Sequence, residues 1–368
     1  GSFAVVGNPF ASTIDFDKLR LTFPGNISST AFAVWDPNLT GSLSVGAFQS
    51  ITKVGADYIA VPGAATGGSY YGNPVTANNS LNSLIQSGQA FVVQRNPGTG
   101  GTVTINENTK VGANRSAVFR PAGPSLPGYV RTNMAFINPD SVSTTLIDGT
   151  LSLFDEGYKN EIDLDDFRKL TNINENFGIV KNNTALAIEK RQPLAESDTI
   201  FYKMTQLKAR VYQLAIEAAK LEPGIVGYLE DKYLQSKTMV KLNDNTAYNF
   251  RVTNDSGAWD PARFRIVFKT LPVTAIKINA SPVDEQVAVD WNIKNELYTS
   301  NYQLEKSTNG EDFSLVETVT NISNQGADAA YQWLDKAPVA GYNYYRIKCT
   351  DISGREQYSN IAKAYFRT

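Results

Sequence analysis

A chain of 368 residues is longer than one typical domain, so its length predicts two or three domains. The net charge of −2 leaves no basic field that could collect nucleic acid, and no apolar run is long enough for membrane insertion. Histidine is absent, which excludes Ser-His-Asp and Cys-His catalysis and every histidine-containing metal site. The single cysteine, Cys349, excludes an intrachain disulfide.

The composition favours β structure over helices. Charged residues make up only 19% of the chain, while Tyr and Phe number 18 each, and aromatic side chains suit a pleated surface. We therefore expect an all-β fold of tandem β-sandwich domains. The predicted domains are residues 1–127, 128–270 and 271–368.

The first predicted domain is β-rich and sandwich-like. Its short apolar runs are separated by Gly, Pro, Asn and Ser, a rhythm typical of strands and turns. Residues 78–86 (NNSLNSLIQ) are predicted to form one short helix. Residues 121–128 (PAGPSLPG) are predicted to be a linker, because proline lacks the backbone donor that a central strand needs.

The second predicted domain is expected to be a jelly-roll-like β-sandwich, although one of its segments resembles a helix. Residues 204–221 (MTQLKARVYQLAIEAAKL) are rich in Ala, Leu, Glu and Lys, which favour helices. Leu214, Ile216 and Ala218 nevertheless alternate with polar or small residues, and a period of two is typical of a strand. We therefore predict a strand in this segment.

The third predicted domain has about seven short alternating runs in fewer than 100 residues, a spacing typical of a fibronectin type III-like or immunoglobulin-like sandwich. Trp291 alternates inward with two valines and is predicted to lie in the core. Tyr342 and Tyr344 share one face of their strand and are interpreted as packing residues.

Several motifs resemble those of large secreted proteins of Bacteroidota. Residues 3–17 (FAVVGNPFASTIDFD) resemble a common motif of the form NLVGNPYPSPIDWD. Matching pieces follow in the expected order at residues 34–37 (VWDP), 87–94 (SGQAFVVQ), 104–108 (TINEN), 227–234 (GYLEDKYL), 240–250 (VKLNDNTAYNF) and 263–268 (RFRIVF). The third domain resembles the fibronectin type III-like module of type IX secretion cargo at residues 289–291 (VDW), 302–313 (YQLEKSTNGEDF) and 342–354 (YNYYRIKCTDISG).

This resemblance implies a secreted or cell-surface location and a non-catalytic role as a stalk, adhesion or accessory module. The alternative is a carbohydrate-binding accessory region of a polysaccharide-degrading enzyme. The expected partners are glycans or cell-surface components, without nucleic acid or membrane insertion. Glycan binding would separate the two hypotheses, because a pure spacer binds nothing.

The acidic run of residues 155–166 (DEGYKNEIDLDD) is the best metal candidate. Its carboxylates could supply the oxygen ligands that calcium prefers; they are Asp155, Glu161, Asp163, Asp165 and Asp166. The EF-hand pattern fails, because Phe167 occupies the fifth position counted from Asp163 and no glycine follows. The alternative is a solvated loop in which Asp165 or Asp166 caps a short helix over residues 167–170. No other cofactor is expected.

Loop aromatics are the candidates for glycan binding, because flat sugar faces stack on exposed rings. The rings in or next to predicted loops are Trp35, Trp259, Tyr70 and Tyr71. Trp259 lies between Asp255 and Asp260, which makes this trio a plausible sugar contact. The alternative is a ring folded over the sheet edge, since large rings are usually buried.

Acid–base catalysis needs two carboxylates that converge on one bond, and the sequence offers no such spacing. Glu230 and Asp231 are adjacent, and neighbours on a strand point to opposite faces. They are interpreted as a surface charge pair beside Lys232. The sequence therefore predicts a structural or binding module rather than an enzyme.

Overall fold

Strands make up 56% and helices 6% of the computed structural model, which confirms the expected all-β fold with several sandwich-like sheets. The structure describes residues 2–63, 83–111, 126–140, 143–271, 275–322 and 325–367. Tyr70, Tyr71 and most of the predicted helix (78–86) and linker (121–128) lie outside these ranges. Within the same ranges, no helix has the length and apolar character needed to cross a membrane.

The chain divides into two compact units. The first contains Gly1–Leu221 with Gly227–Lys269, and the second contains Glu222–Val226 with Thr270–Thr368. This division lies next to the predicted boundary between residues 270 and 271. The boundary predicted between residues 127 and 128 falls within the first unit, and separate folding of the two flanking halves stays a prediction.

A five-stranded antiparallel sheet forms one layer of the first unit. In spatial order its strands are β1 (Phe3–Gly7), β7 (Ala90–Arg95), β3 (Ile27–Asp36), β4 (Ala47–Val54) and β5 (Asp57–Val61). The pair β2 (Ile14–Asp15) and β6 (Leu84–Ile85), together with helix α1 (Phe16–Leu19), covers one face of this sheet. Phe16 stacks on Phe32 with ring centroids 4.2 Å apart, so aromatic packing closes that face.

An eleven-stranded sheet forms the rest of the first unit. Its order is β16 (Ser236–Met239), β15 (Ile225–Asp231), β18 (Phe264–Thr270), β13 (Thr199–Thr205), β11 (Asn176–Lys181), β12 (Thr184–Arg191), β9 (Thr144–Phe154), β8 (Gly128–Ile137), β14 (Val211–Ala219) and β17 (Asn245–Arg251). Strand β10 (Phe167–Arg168) also pairs with β12. Strands β12 and β9 run parallel, whereas β11 and β8 beside them pair antiparallel.

This large sheet curls so that its two halves face each other. Thr132 Oγ1 on β8 lies 2.7 Å from Tyr202 Oη on β13, although the two strands are not neighbours. Phe250 of β17 and Phe264 of β18 also pack edge to face, with ring centroids 4.8 Å apart. The curled sheet therefore encloses its own core, as a β-sandwich does.

The five-stranded sheet packs on the outside of the curled sheet. The core between them joins Ala33, Ile59 and Val92 from the first sheet with Leu151 and Leu153 from the second. Because these side chains come from both halves of the first unit, each half covers apolar surface of the other.

The helix-like segment of residues 204–221 contains a strand, as predicted. Strand β14 buries Tyr212, Leu214, Ile216 and Ala218, whereas the residues between them are partly exposed. Alternating burial outweighs helix propensity, because only a strand places all four apolar side chains on one face.

Two antiparallel sheets form the second unit. One contains β19 (Ala275–Val283), β20 (Gln286–Leu297) and β23 (Gln325–Asp335); the other contains β22 (Ser314–Val319), β21 (Thr299–Ser307), β24 (Gly341–Asp351), β25 (Glu356–Tyr358) and β26 (Ala362–Phe366). Both sheets contribute to one core, as in a fibronectin type III-like sandwich. Trp291 is 1% exposed and stacks on Tyr331, which confirms its predicted core position.

Tyr342 and Tyr344 were interpreted as packing residues, but neither packs in the core of this sandwich. They lie on the outer face of β24, where Tyr342 is half exposed and its ring lies 5.0 Å from that of Tyr365. The inward positions of the same strand include Tyr345 and Ile347, which are fully buried.

Candidate functional site

An open groove with a volume of about 310 Å³ lies beside Trp259 on the first unit. It is lined by Met204, Thr205, Gln206, Leu207, Trp259 and Pro261. The Trp259 side chain is 50% exposed, although large aromatic rings are usually buried. A tryptophan presented in this way is a candidate contact for a ligand.

A short 3-10 turn, Ser256–Trp259, presents the indole ring. The Asp255 carboxylate caps this turn by accepting a hydrogen bond from Gly257 N at 2.9 Å. Asp260 Oδ1 accepts a hydrogen bond of 2.8 Å from the backbone N–H two residues later. The two acids predicted beside Trp259 therefore hold the backbone on both sides of the ring.

A buried ion pair anchors the Trp259 turn. Arg263 Nε donates to Asp231 Oδ1 at 2.9 Å, and Arg263 Nη2 donates to Asp231 Oδ2 at 2.6 Å. Arg263 Nη1 also donates to the carbonyl oxygens of Ala258, within the turn, and Arg251. This bidentate geometry fixes the orientation of the guanidinium, and with it the position of the turn relative to β15.

Aromatic rings enclose the Arg263 guanidinium. Its central carbon lies 4.9 Å from the ring centre of Tyr233, 5.1 Å from that of Phe250 and 4.9 Å from that of Phe264. Burial is the largest single influence on the pKa of Asp231 and would raise it. The hydrogen bonds and charge of Arg263, together with hydrogen bonds from Leu234 N and the Tyr248 hydroxyl, outweigh burial and lower this pKa. Asp231 is therefore a charged counter-ion at neutral pH.

The opposite wall of the groove is the end of β13 and the turn that follows it. Met204 N donates to Pro261 O at 2.9 Å, so a backbone hydrogen bond joins the two walls. Gln206 follows β13 in the left-handed region, with φ of 62°, and its side chain is exposed. The groove therefore lies between two backbone segments that are joined to each other.

The chemistry of the groove is that of a neutral site. Four of its six lining side chains are apolar, and the Thr205 hydroxyl and the Gln206 amide supply neutral hydrogen-bonding groups. None of the six is ionisable. A sugar ring has an apolar face and hydroxyl groups around its edge, so this lining suits a neutral sugar.

Trp35, the second tryptophan predicted as a glycan contact, lies outside this groove lining. Its side chain is 37% exposed, and its ring packs edge to face on Phe48 with centroids 5.1 Å apart. A Cβ atom at Gly46 would lie 2.7 Å from Trp35 Nε1, and Gly46 has φ of 85°, so the turn beside Trp35 requires glycine. A glycan contact at Trp35 stays a prediction.

The carboxylates of the acidic run accept hydrogen bonds within the protein. Asp166 is buried, and its oxygens accept from Lys190 N at 2.8 Å and from Asp163 N at 3.0 Å. Asp163 Oδ1 accepts from Asp165 N at 2.8 Å, and Asp165 Oδ1 accepts from Thr30 Oγ1 at 3.2 Å. These carboxylates stabilise the loop that carries them.

The two remaining acids of the calcium candidate, Asp155 and Glu161, are exposed. In the part of the chain that the structure describes, no group of three or more Asp, Glu or Cys side chains is placed to hold a metal ion. Calcium binding stays a prediction, which this geometry does not favour. The helix in the alternative interpretation is wrong, because Phe167–Arg168 form strand β10.

The adjacent acids Glu230 and Asp231 point to opposite faces of β15, as predicted. Their interpretation as a surface pair beside Lys232 is wrong. Asp231 is buried in the ion pair described above, whereas Glu230 binds Lys237 at 2.7 Å and Arg265 at 2.6 Å. The two carboxylates therefore cannot act together on one bond.

A comparison with protein families matches residues 1–268 to a family described as a domain of unknown function, DUF8693. The chain belongs to this family. The DUF8693 match covers almost the same residues as the first compact unit. The Trp259 groove therefore lies within the DUF8693 region, and the fibronectin type III-like unit follows it.

Beyond DUF8693, a beta-1,2-glucanase from Parabacteroides distasonis is among the solved structures that the chain matches. The sequences are 10% identical, the match covers 53% of this chain and 36% of the glucanase chain, and the TM-score is 0.20. Nothing about the activity of this chain follows from so weak a likeness. No curated protein matches the chain.

Proposed function

We propose that the chain is a non-catalytic module of a secreted or cell-surface protein, and that it binds a neutral carbohydrate at the Trp259 groove. The observation that carries this proposal is the half-exposed indole of Trp259 in a fixed turn beside a hydroxyl and an amide. Such a module would attach its parent protein to a polysaccharide or hold a neighbouring domain close to one.

The rigidity of the turn supports binding as the role of Trp259. Asp255 and Asp260 hold the backbone on both sides of the ring. Arg263, fixed by its ion pair with Asp231, also donates a hydrogen bond to a carbonyl oxygen within the turn. A ring that is already fixed loses little conformational entropy when a ligand binds, so more of the contact energy contributes to affinity.

The chemistry of the groove supports a non-catalytic role. Glycoside hydrolysis uses two carboxyl groups about 5–10 Å apart on either side of the scissile bond. None of the six lining side chains is a carboxylate, and the nearby Asp231 is the counter-ion of Arg263. The groove thus suits retention of a sugar rather than its hydrolysis.

The proposed location rests on the resemblance of residues 3–17 and of the second unit to type IX secretion cargo. Two parent proteins are compatible with the same groove: a surface adhesin, or a polysaccharide-degrading enzyme for which this chain is the accessory region. A pure stalk is the competing proposal, and it requires no ligand at Trp259.

Affinity electrophoresis through gels that contain neutral glucans, mannans or xylans tests carbohydrate binding. At least one polysaccharide should retard the protein, and Trp259→Ala should weaken that binding about tenfold, equivalent to about 1.4 kcal/mol for the loss of a central aromatic contact. The matched control is Tyr365→Ala, which removes a ring of the same 50% exposure from the second unit and should leave binding unchanged. Absence of retardation throughout the panel would favour the stalk.

A reducing-sugar assay on the same polysaccharides tests the non-catalytic role. The protein should release no reducing ends, because no carboxylate lines the groove. Release that Asp260→Asn abolishes would show that the protein is a hydrolase.

A further inference from the structure

The loop of residues 172–176 places one apolar side chain on the surface between buried polar neighbours. Ile173 is 63% exposed, whereas Asn172 and Asn174 on either side are each 2% exposed. Glu175 and Asn176 are buried as well. A loop of this polar composition would ordinarily be solvated, so the burial of its polar residues beside an exposed aliphatic one needs an explanation.

Hydrogen bonds to the start of β4 and to the connection between β3 and β4 hold this loop in place. Asn172 Oδ1 accepts from Phe48 N at 2.8 Å, and Asn174 Oδ1 accepts from Leu43 N at 2.9 Å. Asn174 Nδ2 donates to Thr40 O at 2.9 Å. The buried amides thus hold the loop against this connection and leave Ile173 directed outwards.

The β3–β4 connection carries apolar surface of its own. Leu43 is 52% exposed and Val45 is 43% exposed. Asn174 Nδ2 lies 3.3 Å from Gly46 O, and Gly46 in turn packs against the indole of Trp35. One side of the 172–176 loop therefore contacts the connection that carries Leu43 and Val45 and that ends beside Trp35.

The other side of the loop contacts the Trp259 groove. The amide group of Gln206, which lines the groove, lies 3.0 Å from Ile173 O and 3.2 Å from Asn176 Nδ2. Both tryptophans predicted as glycan contacts are thus connected to one loop, Trp259 through Gln206 and Trp35 through Gly46.

We propose that the groove is one end of an elongated surface that binds an extended neutral oligosaccharide rather than a single sugar. This proposal depends on the proposed carbohydrate-binding function. We name the surface the Trp35–Trp259 surface and define it by Trp35, Leu43, Val45, Ile173, Gln206 and Trp259.

The charge of the surface selects a neutral chain. None of its six side chains is ionisable, and the carboxylates of Asp255 and Asp260 lie beside its Trp259 end. An anionic polymer would meet no cation among the six, so no ion pair on the surface would favour it over a neutral chain. A neutral chain can instead place successive apolar sugar faces against the apolar residues and direct its hydroxyls to Gln206 and to water.

Isothermal titration with neutral gluco- and manno-oligosaccharides, from disaccharide to hexasaccharide, tests the proposal. Affinity should increase with chain length. Trp259→Ala should weaken binding of every length, whereas Trp35→Ala and Leu43→Ser should weaken hexasaccharide binding about tenfold and leave disaccharide binding unchanged. Tyr365→Ala is the control for loss of an exposed ring elsewhere.

The outcomes separate this proposal from the proposed function. Loss of binding in Trp259→Ala alone, at all lengths, overturns the elongated surface and leaves carbohydrate binding at the groove intact. No effect of any variant overturns both. Because Trp35 packs on Phe48, its variant could unfold; Leu43→Ser and Ile173→Ser change only exposed side chains and keep the test decisive. If these two variants alter sedimentation instead of affinity, the surface is a contact between protein copies and the proposal is overturned.

Discussion

Glu230 and Asp231 are neighbouring acids that both form ion pairs, yet burial makes their contributions to stability unequal. Asp231 and its partner Arg263 are at most 1% exposed, whereas Lys237, a partner of Glu230, is 66% exposed. Asp231→Ala should lower the free energy of unfolding by about 3–5 kcal/mol, because it leaves a buried guanidinium without its counter-ion. Urea-induced unfolding would measure this loss.

Glu230→Ala is the matched control for that experiment. The cations left without Glu230 are Lys237 and Arg265, which are 66% and 37% exposed and can be solvated, so this variant should lose no more than about 1 kcal/mol. Equal losses in the two variants would show that burial does not make the two contributions unequal. A preserved affinity for glycan in Asp231→Ala would show that the Arg263–Asp231 pair is not the anchor of the Trp259 turn.

Asp166 predicts a pH dependence of stability. Burial raises its pKa from 3.8 to about 6, although hydrogen bonds from Lys190 N and Asp163 N oppose the increase. The folded protein therefore binds a proton that the unfolded chain releases between about pH 4 and pH 6. The contribution of Asp166 to the free energy of unfolding should therefore increase by about 1 kcal/mol as the pH falls from about 7 to about 5.

Asp166→Asn isolates this contribution, because asparagine does not titrate. Urea-induced unfolding of both proteins at the two pH values gives the comparison. The wild type should gain about 1 kcal/mol relative to the variant at the lower pH. A difference that does not change with pH would show that Asp166 is ionised in the folded state at both values.

The residues next to Trp259 in the sequence were enough to predict one wall of the candidate site. The sequence around Trp259 indicated a loop flanked by acids, and the structure shows those acids holding the loop backbone. The facing wall at Met204 could not be predicted, because it lies more than 50 residues away along the chain. The partner of Asp231 is 32 residues distant, and no local pattern reveals such a pair.

At the scale of elements, the alternation of buried and partly exposed residues along β14 predicts which substitutions lower the stability of the fold. Leu214 is fully buried, so Leu214→Ala should lower the free energy of unfolding by about 2–5 kcal/mol. Gln213 is partly exposed on the other face, and Gln213→Ala should change this energy by about 0.5 kcal/mol or less. Thermal and urea unfolding would compare the two; similar losses would contradict the one-sided burial of β14.

The alternation of side chains along a strand predicts which residues share a face of the sheet, but it does not predict which face is buried. Tyr342 and Tyr344 do share one face of β24, yet Tyr345 and Ile347 offer an equally apolar alternative on the other. The choice depends on the sheet that packs against β24, and that contact is distant in sequence. Trp291 was easier to predict, because its alternation with buried valines left one apolar face.

At the scale of the whole molecule, the two compact units differ in how their cores are built. The core of the second unit contains side chains from its own two sheets. In the first unit, by contrast, the outer face of the curled sheet is covered by residues that precede position 127. Short apolar runs and proline-rich segments suggested a boundary there, but the sequence does not show which sheets pack together.

This difference predicts how fragments behave. A fragment of residues 128–270 would expose Leu151 and Leu153, which the five-stranded sheet covers in the intact chain. It should therefore unfold at a lower urea concentration than residues 1–270 and bind a hydrophobic dye such as ANS. Residues 271–368 retain their shared core and should unfold cooperatively alone. Within that fragment, Trp291→Ala should lower the free energy of unfolding by about 3–5 kcal/mol. Equal midpoints for residues 128–270 and 1–270 would show instead that the halves of the first unit fold separately.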